Sequence, residues 1–202
     1  MAAPAATSRA MFNDRSTPLS LLATRRSGKP RDLIAPGPSP DELAQAVAIA
    51  ARTPDHGKLA PWRFVTVRAD QRERLSRLIC DAYRAERPQA SEAEVAGMDQ
   101  FAKQAPALVV VLSSPDTASK IPLWEQELSA GAACMNLLHA VHAMGYAGGW
   151  LTGWPAFNDT VRDAFGAAPE RIAGFVFIGT PARPLDERPR GDLARAMGEW
   201  AD

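Results

Sequence analysis

The sequence predicts an α+β fold in which several helices are packed around a central sheet. Residues 107–112 and 175–178 form continuous apolar runs, which are typical of strands covered on both faces. Residues 123–144 form the longest helical pattern, and small residues in its first half would let another backbone approach closely. Because helical patterns outnumber strand patterns along the chain, we expect three or four strands enclosed by helices.

Seven segments carry helical signals. The clearest start is Ser39-Pro40-Asp41-Glu42, where a serine cap, a proline in the first turn and two acids suit the positive end of the helix dipole. Thr17-Pro18 and Asn158 are start signals for two other helices, and Gly145 is a stop signal. The predicted helices cover residues 19–26, 40–52, 70–87, 91–103, 123–144, 158–165 and 191–200.

Two further segments favour strands. Residues 62–67 alternate and are rich in residues that favour strands, and residues 146–151 form a short extended segment that contains Gly148-Gly149. Residues 28–40 are rich in proline and glycine, which predicts a loop.

The composition excludes several classes of protein. Lys and Arg number 23 and Asp and Glu number 23, so the formal net charge is +0, which argues against a nucleic-acid binder or a polybasic membrane patch. No apolar run approaches the ~18 residues of a membrane span. We expect a cytoplasmic protein with a disordered leader over residues 1–16 and a single domain over residues 17–202.

Cysteine and histidine are sparse. Cys80 and Cys134 exclude a disulfide scaffold, and their apolar surroundings predict buried free thiols. His139 and His142 lie three residues apart on a predicted helix and could bind a metal if His56 supplied a third ligand. The alternative is that they are buried or interface histidines without a ligand.

Three polar or glycine-rich motifs could form a binding site. The first is Arg25-Arg26-Ser27-Gly28-Lys29, whose guanidinium groups and hydroxyl suit phosphate oxygens and whose glycine lets the chain turn near a ligand. The second runs from Arg52 to Lys58 around His56, on a predicted loop before a strand. The alternatives are a solvated basic helix end for the first motif and a surface turn stabilised by Asp55 for the second.

The third motif covers residues 145–154, where glycines flank an extended segment that ends in two tryptophans. These residues could form the wall of a pocket for a planar ligand, or they could be packing positions in the core. The order of the glycines is not that of a dinucleotide-binding fingerprint, and the sequence contains neither a phosphate-binding P-loop nor a G-x-S-x-G motif.

Taken together, these segments resemble the FMN-dependent nitroreductase family, and in particular its compact bacterial branch of NAD(P)H nitroreductases. The resemblance extends from about residue 19 to about residue 181, in the order of the family. The matching stretches are Arg25-Arg26-Ser27, Arg52-Thr53-Pro54-Asp55-His56, Pro61-Trp62-Arg63-Phe64, residues 122–131, Gly148-Gly149-Trp150 and residues 175–181.

The resemblance implies a nitroreductase-like fold with a mixed or antiparallel sheet, in an intertwined homodimer that binds FMN at the subunit interface. It implies that the residues at the matching positions contact FMN, and that Arg52 and His56 do so from the partner subunit. Ala60 stands where the family usually has glutamine. The implied FMN contacts are Arg25, Arg26, Ser27, Lys29, Arg52, His56, Trp150, Leu151, Thr152 and Gly153.

The resemblance also implies the chemistry. NADH or NADPH would reduce the flavin at N5, and a nitroaromatic, quinone-like or similar small acceptor would then reoxidise it in a ping-pong cycle. Lys29 would stabilise the negative charge of the reduced flavin, and no catalytic nucleophile or metal would be needed. The residues implied to contact the electron donor, NADH or NADPH, are Ala140, Val141, His142, Ala143, Met144 and Gly145.

Two other functions stay open at this point. One is a flavin-binding protein for storage, sensing or other flavin chemistry, which would use the same contacts without turnover by NAD(P)H. The other is a histidine metalloenzyme, which would require His56, His139 and His142 to converge.

Overall fold

The computed structural model describes residues 12–200, and this part of the chain contains seven α-helices and five β-strands. The helices are α1 Pro18–Thr24, α2 Pro40–Ala50, α3 Arg72–Glu86, α4 Glu92–Lys103, α5 Leu123–Ala143, α6 Asp159–Asp163 and α7 Leu193–Ala196. The strands are β1 Leu33–Ile34, β2 Trp62–Val67, β3 Ala107–Ser113, β4 Ala147–Leu151 and β5 Arg171–Pro181. The predicted α+β class is confirmed.

Capping explains where α2 and α4 begin. Ser39 and Ser91 each accept a hydrogen bond from the backbone three residues later, and the glutamates at those positions bond back to the serine backbone. The predicted helix over residues 191–200 is reduced to the four residues of α7, none of which is buried. Short helices need tertiary packing to persist, and α7 buries no apolar face within the described chain.

All strand pairs in the sheet are antiparallel. β5 pairs with β3 along one side and with β4 and then β1 along the other, while β2 pairs with the outer side of β3. The sequence predicted three or four strands. The additional one, β1, has only two residues and lies inside a proline-rich loop, where no periodicity could show it.

The core lies on both faces of β3 and β5. Leu108, Val110 and Leu112 face a cluster with α3, α4 and α6, whereas Val109 and Val111 face a second cluster with α2 and α5. Every residue of β3 is buried, which confirms the prediction of a strand covered on both faces.

The predicted leader over residues 1–16 reaches into the described chain. Residues 1–11 lie outside the described residues, whereas Asn13 and Arg15 bond to carbonyl groups at the C-terminal end of α5. Cys80 and Cys134 are buried free thiols, as predicted. No helix within residues 12–200 is long and apolar enough to cross a membrane.

A half-buried carboxylate fastens β2 to the turn before β5. Arg63 donates from Nε and Nη2 to the two oxygens of Glu170, each at 2.9 Å, and the Ala167 N–H donates at 3.2 Å. These bonds, with that of Arg63 the strongest, lower the pKa of Glu170 from 4.5 to about 2.

We expect the substitution Glu170→Gln to lower the free energy of unfolding by about 1–2 kcal/mol at neutral pH, since Arg63 is partly exposed. Because the pKa is lowered in the folded state, this contribution is complete above pH 4.5 and is lost as the pH falls towards about 2. Denaturant unfolding at about pH 7 and about pH 3 should therefore show a smaller difference between wild type and variant at the lower pH. The control Asp70→Asn removes an exposed pair with Arg68 and should have a much smaller effect. An equal loss from Glu170→Gln at both pH values would contradict the prediction.

Candidate functional site

A cavity of about 270 Å³ lies between the loop after α1, strand β4 and the second half of α5. The loop supplies most of the polar side chains of the cavity wall, β4 and α5 supply apolar side chains, and the segment after β5 supplies one arginine. The lining residues are Arg25, Ser27, Gly28, Lys29, Pro30, Met135, Leu138, Gly149, Trp150, Leu151 and Arg188. Two of the three sequence motifs therefore meet here, although about 120 residues separate them in the chain.

Close backbone approach brings the loop and β4 together. The Gly28 N–H donates to the carbonyl of Gly148 at 3.1 Å. A Cβ atom on Gly149 would lie 2.5 Å from the Gly28 carbonyl oxygen and 3.1 Å from Cδ of Pro30. Only glycine leaves room for this contact, which holds Ser27 and Lys29 at the cavity wall.

The cavity is strongly basic. Arg25, Lys29 and Arg188 line it, and no aspartate or glutamate does so. Burial lowers the pKa of Arg25, and the nearby charge of Arg190 lowers it further. No carboxylate within residues 12–200 forms an ion pair with Arg25. Arg25 is half-buried, whereas Lys29 and Arg188 are exposed. Cations without a carboxylate partner attract an anionic ligand, and guanidinium groups are well shaped for phosphate oxygens.

Arg26 points away from this cavity. Its Nε donates to Glu187 at 2.5 Å and its Nη1 donates to the carbonyl of Leu185 at 3.2 Å. Since Arg25 has an extended backbone, successive side chains lie on opposite sides of the chain. Arg26 thus fastens the C-terminal segment that carries Arg188, and its predicted contact with a phosphate stays a prediction.

Two large side chains of β4 lie at the cavity. Trp150 and Leu151 line it, and the Trp150 indole lies over Gly174 and donates from Nε1 to the Ala173 carbonyl at 3.0 Å. Thr152 and Gly153 follow β4 at the surface, and Gly153 has a φ of 63°, a conformation suited to glycine. The predicted backbone contacts of these last two residues are not tested by this arrangement.

Arg52 and His56 do not line the cavity formed by this chain. His56 is exposed and lies 2.9 Å, through Nδ1, from Oε2 of Glu125. Glu125 is ten residues before Met135 on α5, so about 15 Å of helix separates His56 from the cavity wall. The Asp55 carboxylate accepts hydrogen bonds from the Leu59 and Ala60 N–H groups, as expected of a surface turn.

Residues 140–145, which are predicted to contact NADH or NADPH, lie partly in the interior and partly at the surface. Ala140, Val141 and His142 are buried, so their side chains offer no surface to a dissolved nucleotide. Ala143 and Gly145 are exposed and Met144 is half-buried. Any contact between this segment and the electron donor is thus limited to these last three residues, and it stays a prediction.

The histidines do not converge on a metal site. Within residues 12–200, no group of three or more His, Cys, Asp or Glu residues is arranged to hold a metal ion. The pKa of His142 is lowered to about 4 by burial first and then by the charges of Arg25 and His139. Both of its ring nitrogens have partners, Asn13 and Gly148, which leaves neither nitrogen for a metal.

Sequence reasoning missed the contributions of Met135, Leu138 and Arg188. The first two were assigned to a buried helix, and no pattern shows which side of such a helix meets a cavity. The arginine-rich composition of residues 181–190 was visible in the sequence. Its position was not, because it depends on the buried anchor Leu185 and on the Arg26–Glu187 pair.

The fold and the cavity define a class of protein: an antiparallel α+β domain with a basic, phosphate-compatible cavity between a loop, an edge strand and a central helix. The chain belongs to the nitroreductase family, whose sequence model matches residues 22–180.

Relatives and solved structures agree with this assignment. The chain is 34% identical over 164 residues to the protein named "Putative NAD(P)H nitroreductase YdjA" from Escherichia coli strain K12, covering 81% of this chain and 87% of that protein. The fold is similar to that of a nitroreductase-like family protein from Bacillus cereus, with a TM-score of 0.76, 20% identity and coverage of 91% and 96% of the two chains. It is also similar to a nitroreductase from Desulfovibrio desulfuricans solved in complex with FMN, with a TM-score of 0.67, 21% identity and coverage of 91% and 96%.

Proposed function

We propose that the protein is an FMN-dependent oxidoreductase that uses NAD(P)H to reduce nitroaromatic, quinone-like or similar small acceptors. The observation that carries the proposal is the basic cavity with Arg25, Lys29 and Arg188 in its wall and no carboxylate among its lining residues. A nitroreductase structure with bound FMN shares the fold, and the 34%-identical relative is named for NAD(P)H.

The residues present fit FMN. Arg25 and Arg188, with the hydroxyl of Ser27, would bind the phosphate group through charge-assisted hydrogen bonds. Lys29 would lie at the edge of the flavin ring, where a fixed cation favours the reduced and more negative form. Met135 and Leu138 give the ring an apolar surface and exclude water from one side.

When bound, FMN would supply the redox chemistry at N5, taking a hydride from NAD(P)H and passing it to the acceptor in a ping-pong cycle. The chain needs only to bind, orient and shield the cofactor. Arg25 and Ser27 sit in a loop fastened to β4, so their positions are set before the cofactor arrives.

We further propose a homodimer that completes the site. Leu19 and Leu22 on α1 and Leu123, Trp124 and Leu128 on α5 are exposed apolar residues. Exposed apolar side chains that lie together on a surface are typical of an interface. The C-terminal segment is also uncovered, since Trp200 is 91% exposed, and it could cross to the partner subunit. The cytoplasmic location expected from the sequence stays a prediction.

The direct experiment is an absorbance spectrum of the purified protein over about 300–550 nm, recorded before and after anaerobic addition of NADH or NADPH. We expect a yellow protein that bleaches with at least one donor. A yellow protein that does not bleach would favour a flavin-binding protein without turnover. A protein that stays colourless after incubation with FMN would overturn the proposal.

We expect the substitution His56→Ala to weaken FMN binding by about tenfold without dissociating the dimer, because His56 is proposed to reach the cofactor of the partner subunit. Fluorescence titration with FMN and size-exclusion chromatography measure the two properties. The control Glu125→Gln changes the carboxylate that lies 2.9 Å from His56 within the same chain and should have a smaller effect. An unchanged FMN affinity for His56→Ala would contradict its assignment to the site.

A further inference from the structure

His142 lies next to the cofactor cavity but does not line it. Its side chain is wholly buried on α5, one turn beyond the cavity residue Leu138. Among the described residues, one side chain and one backbone group form hydrogen bonds with the imidazole. Asn13 Oδ1 lies 3.1 Å from Nδ1, and the N–H of Gly148 lies 3.3 Å from Nε2.

Backbone chemistry determines where the imidazole carries its proton. The Gly148 N–H can only donate, so Nε2 must accept. The carbonyl of His142 can only accept, so the Asn13 amide directs its NH₂ group there, at 2.8 Å, and its oxygen towards Nδ1. Nδ1 therefore carries the hydrogen, and the ring is neutral, with both nitrogens satisfied.

The chain of bonds continues into the cavity wall. Gly148 receives the Gly28 N–H on its carbonyl at 3.1 Å, while its own N–H is held by His142. The N–H and the carbonyl group of Gly148 therefore both form hydrogen bonds with residues outside the sheet. Ser27 and Lys29, the neighbours of Gly28, line the cavity.

Asn13 and Asp14 hold the other end of the same loop. The Asn13 N–H donates to the Thr24 carbonyl at 3.5 Å, and the Asp14 N–H donates to the Thr24 hydroxyl at 2.9 Å. Thr24 directly precedes the cavity residue Arg25. Asn13 has a φ of 56°, a left-handed conformation that asparagine adopts more readily than most residues.

We propose that His142, oriented by Asn13, is a positioning residue that aligns β4 with the loop of residues 24–29 and so presets the cofactor cavity. The inference rests on the proposed function only in taking FMN as the ligand. Independently of FMN, the neutral imidazole accepts a hydrogen bond from the Gly148 N–H, and the loop is held at Thr24 and at Gly28 before any ligand binds.

Two substitutions distinguish the loss of the hydrogen-bond acceptor at His142 from a change in the packing of its ring. His142→Phe keeps the ring volume and leaves the Gly148 N–H without its acceptor, and we expect FMN affinity to fall by about tenfold. His142→Gln can place an amide oxygen near the former Nε2 position, and we expect it to keep FMN affinity within about threefold of wild type. Both variants should lower the melting temperature to a similar degree, so stability alone cannot produce this difference.

Asn13→Gly is a second test should His142→Phe not fold. This substitution removes the side-chain amide, and glycine readily adopts the positive φ of this position. We expect an FMN affinity between those of wild type and His142→Phe. The matched control Arg15→Ala removes an exposed contact with the Ala143 carbonyl in the same segment and should leave FMN affinity unchanged. Equal affinities for wild type, His142→Phe and Asn13→Gly would overturn the inference.

A measurement without FMN keeps this inference distinct from the proposed function. In the FMN-free protein labelled uniformly with ¹⁵N, His142 should show a protonated Nδ1 and a bare Nε2, and the Gly28 amide should be protected from hydrogen exchange. His142→Phe should reduce that protection, whereas His142→Gln should retain it. A protonated Nε2 in wild type would overturn the inference, whether or not the protein binds FMN.

Discussion

Replacing both Arg25 and Arg188 with alanine is expected to lower FMN affinity by about two orders of magnitude or more. Charge-assisted hydrogen bonds of this type contribute roughly 1.5–3 kcal/mol each, and the two guanidinium groups are proposed to meet at one phosphate. Both line the cavity, and no carboxylate among its lining residues competes for them. The purified double variant should be colourless, and a flavin titration should give the affinity of the FMN-free protein.

The control for this experiment is Arg195→Ala, which removes an exposed cation from the same C-terminal segment. Its FMN affinity should match that of wild type, which separates contact with the phosphate from the general effect of lost positive charge. Arg26→Ala is expected to act indirectly by releasing Glu187 and the segment that carries Arg188. Full retention of FMN by the double variant would mean that the phosphate binds elsewhere.

The substitution Gly149→Ala should weaken FMN binding by about tenfold or more and destabilise the protein by about 1–3 kcal/mol. The new methyl group would lie 2.5 Å from the carbonyl oxygen of Gly28, which belongs to the backbone and cannot rotate away. The loop would have to move from β4, and Ser27 and Lys29 would move with it. Flavin titration and denaturant unfolding measure the two effects.

Gly97→Ala is the matched control for that substitution. Gly97 lies in α4, where a new methyl group would have no neighbouring atom within 4 Å, and the change should stabilise the helix by about 0.5–1 kcal/mol. FMN affinity should not change in the control. If Gly149→Ala bound FMN as wild type does, the close contact between the loop and β4 would not be what shapes the cavity.

Much of the fold was predictable because its signals are local. The apolar runs at β3 and within β5, the serine caps of α2 and α4, and the long α5 all follow from the types and spacing of nearby residues. β5 extends from Arg171 to Pro181, well beyond the predicted residues 175–178. Its ends are extended because they pair with β3 and β1, which is a tertiary constraint and not a local preference.

The candidate site was predictable in part. Arg25, Ser27 and Lys29 line the cavity together with Trp150 and Leu151, as the ordered motifs suggested. No spacing could show that Arg26 would pair with Glu187, since these residues lie 161 positions apart. The predicted reach of Arg52 and His56 concerns a partner subunit, so a single chain does not test it.

By itself, the sequence determined the fold class, most of the helices and strands, and the two motifs that supply part of the lining of the cavity. Hydrogen-bonding caps, apolar periodicity and charged motifs act over a few residues, so they can be read along the chain. Only the tertiary structure determines that Arg188 lines the cavity, that the loop after α1 packs closely against Gly149, and that His142 is buried beside Asn13. These outcomes depend on distances between segments far apart in sequence, where packing space and the need to satisfy buried polar groups select the partners.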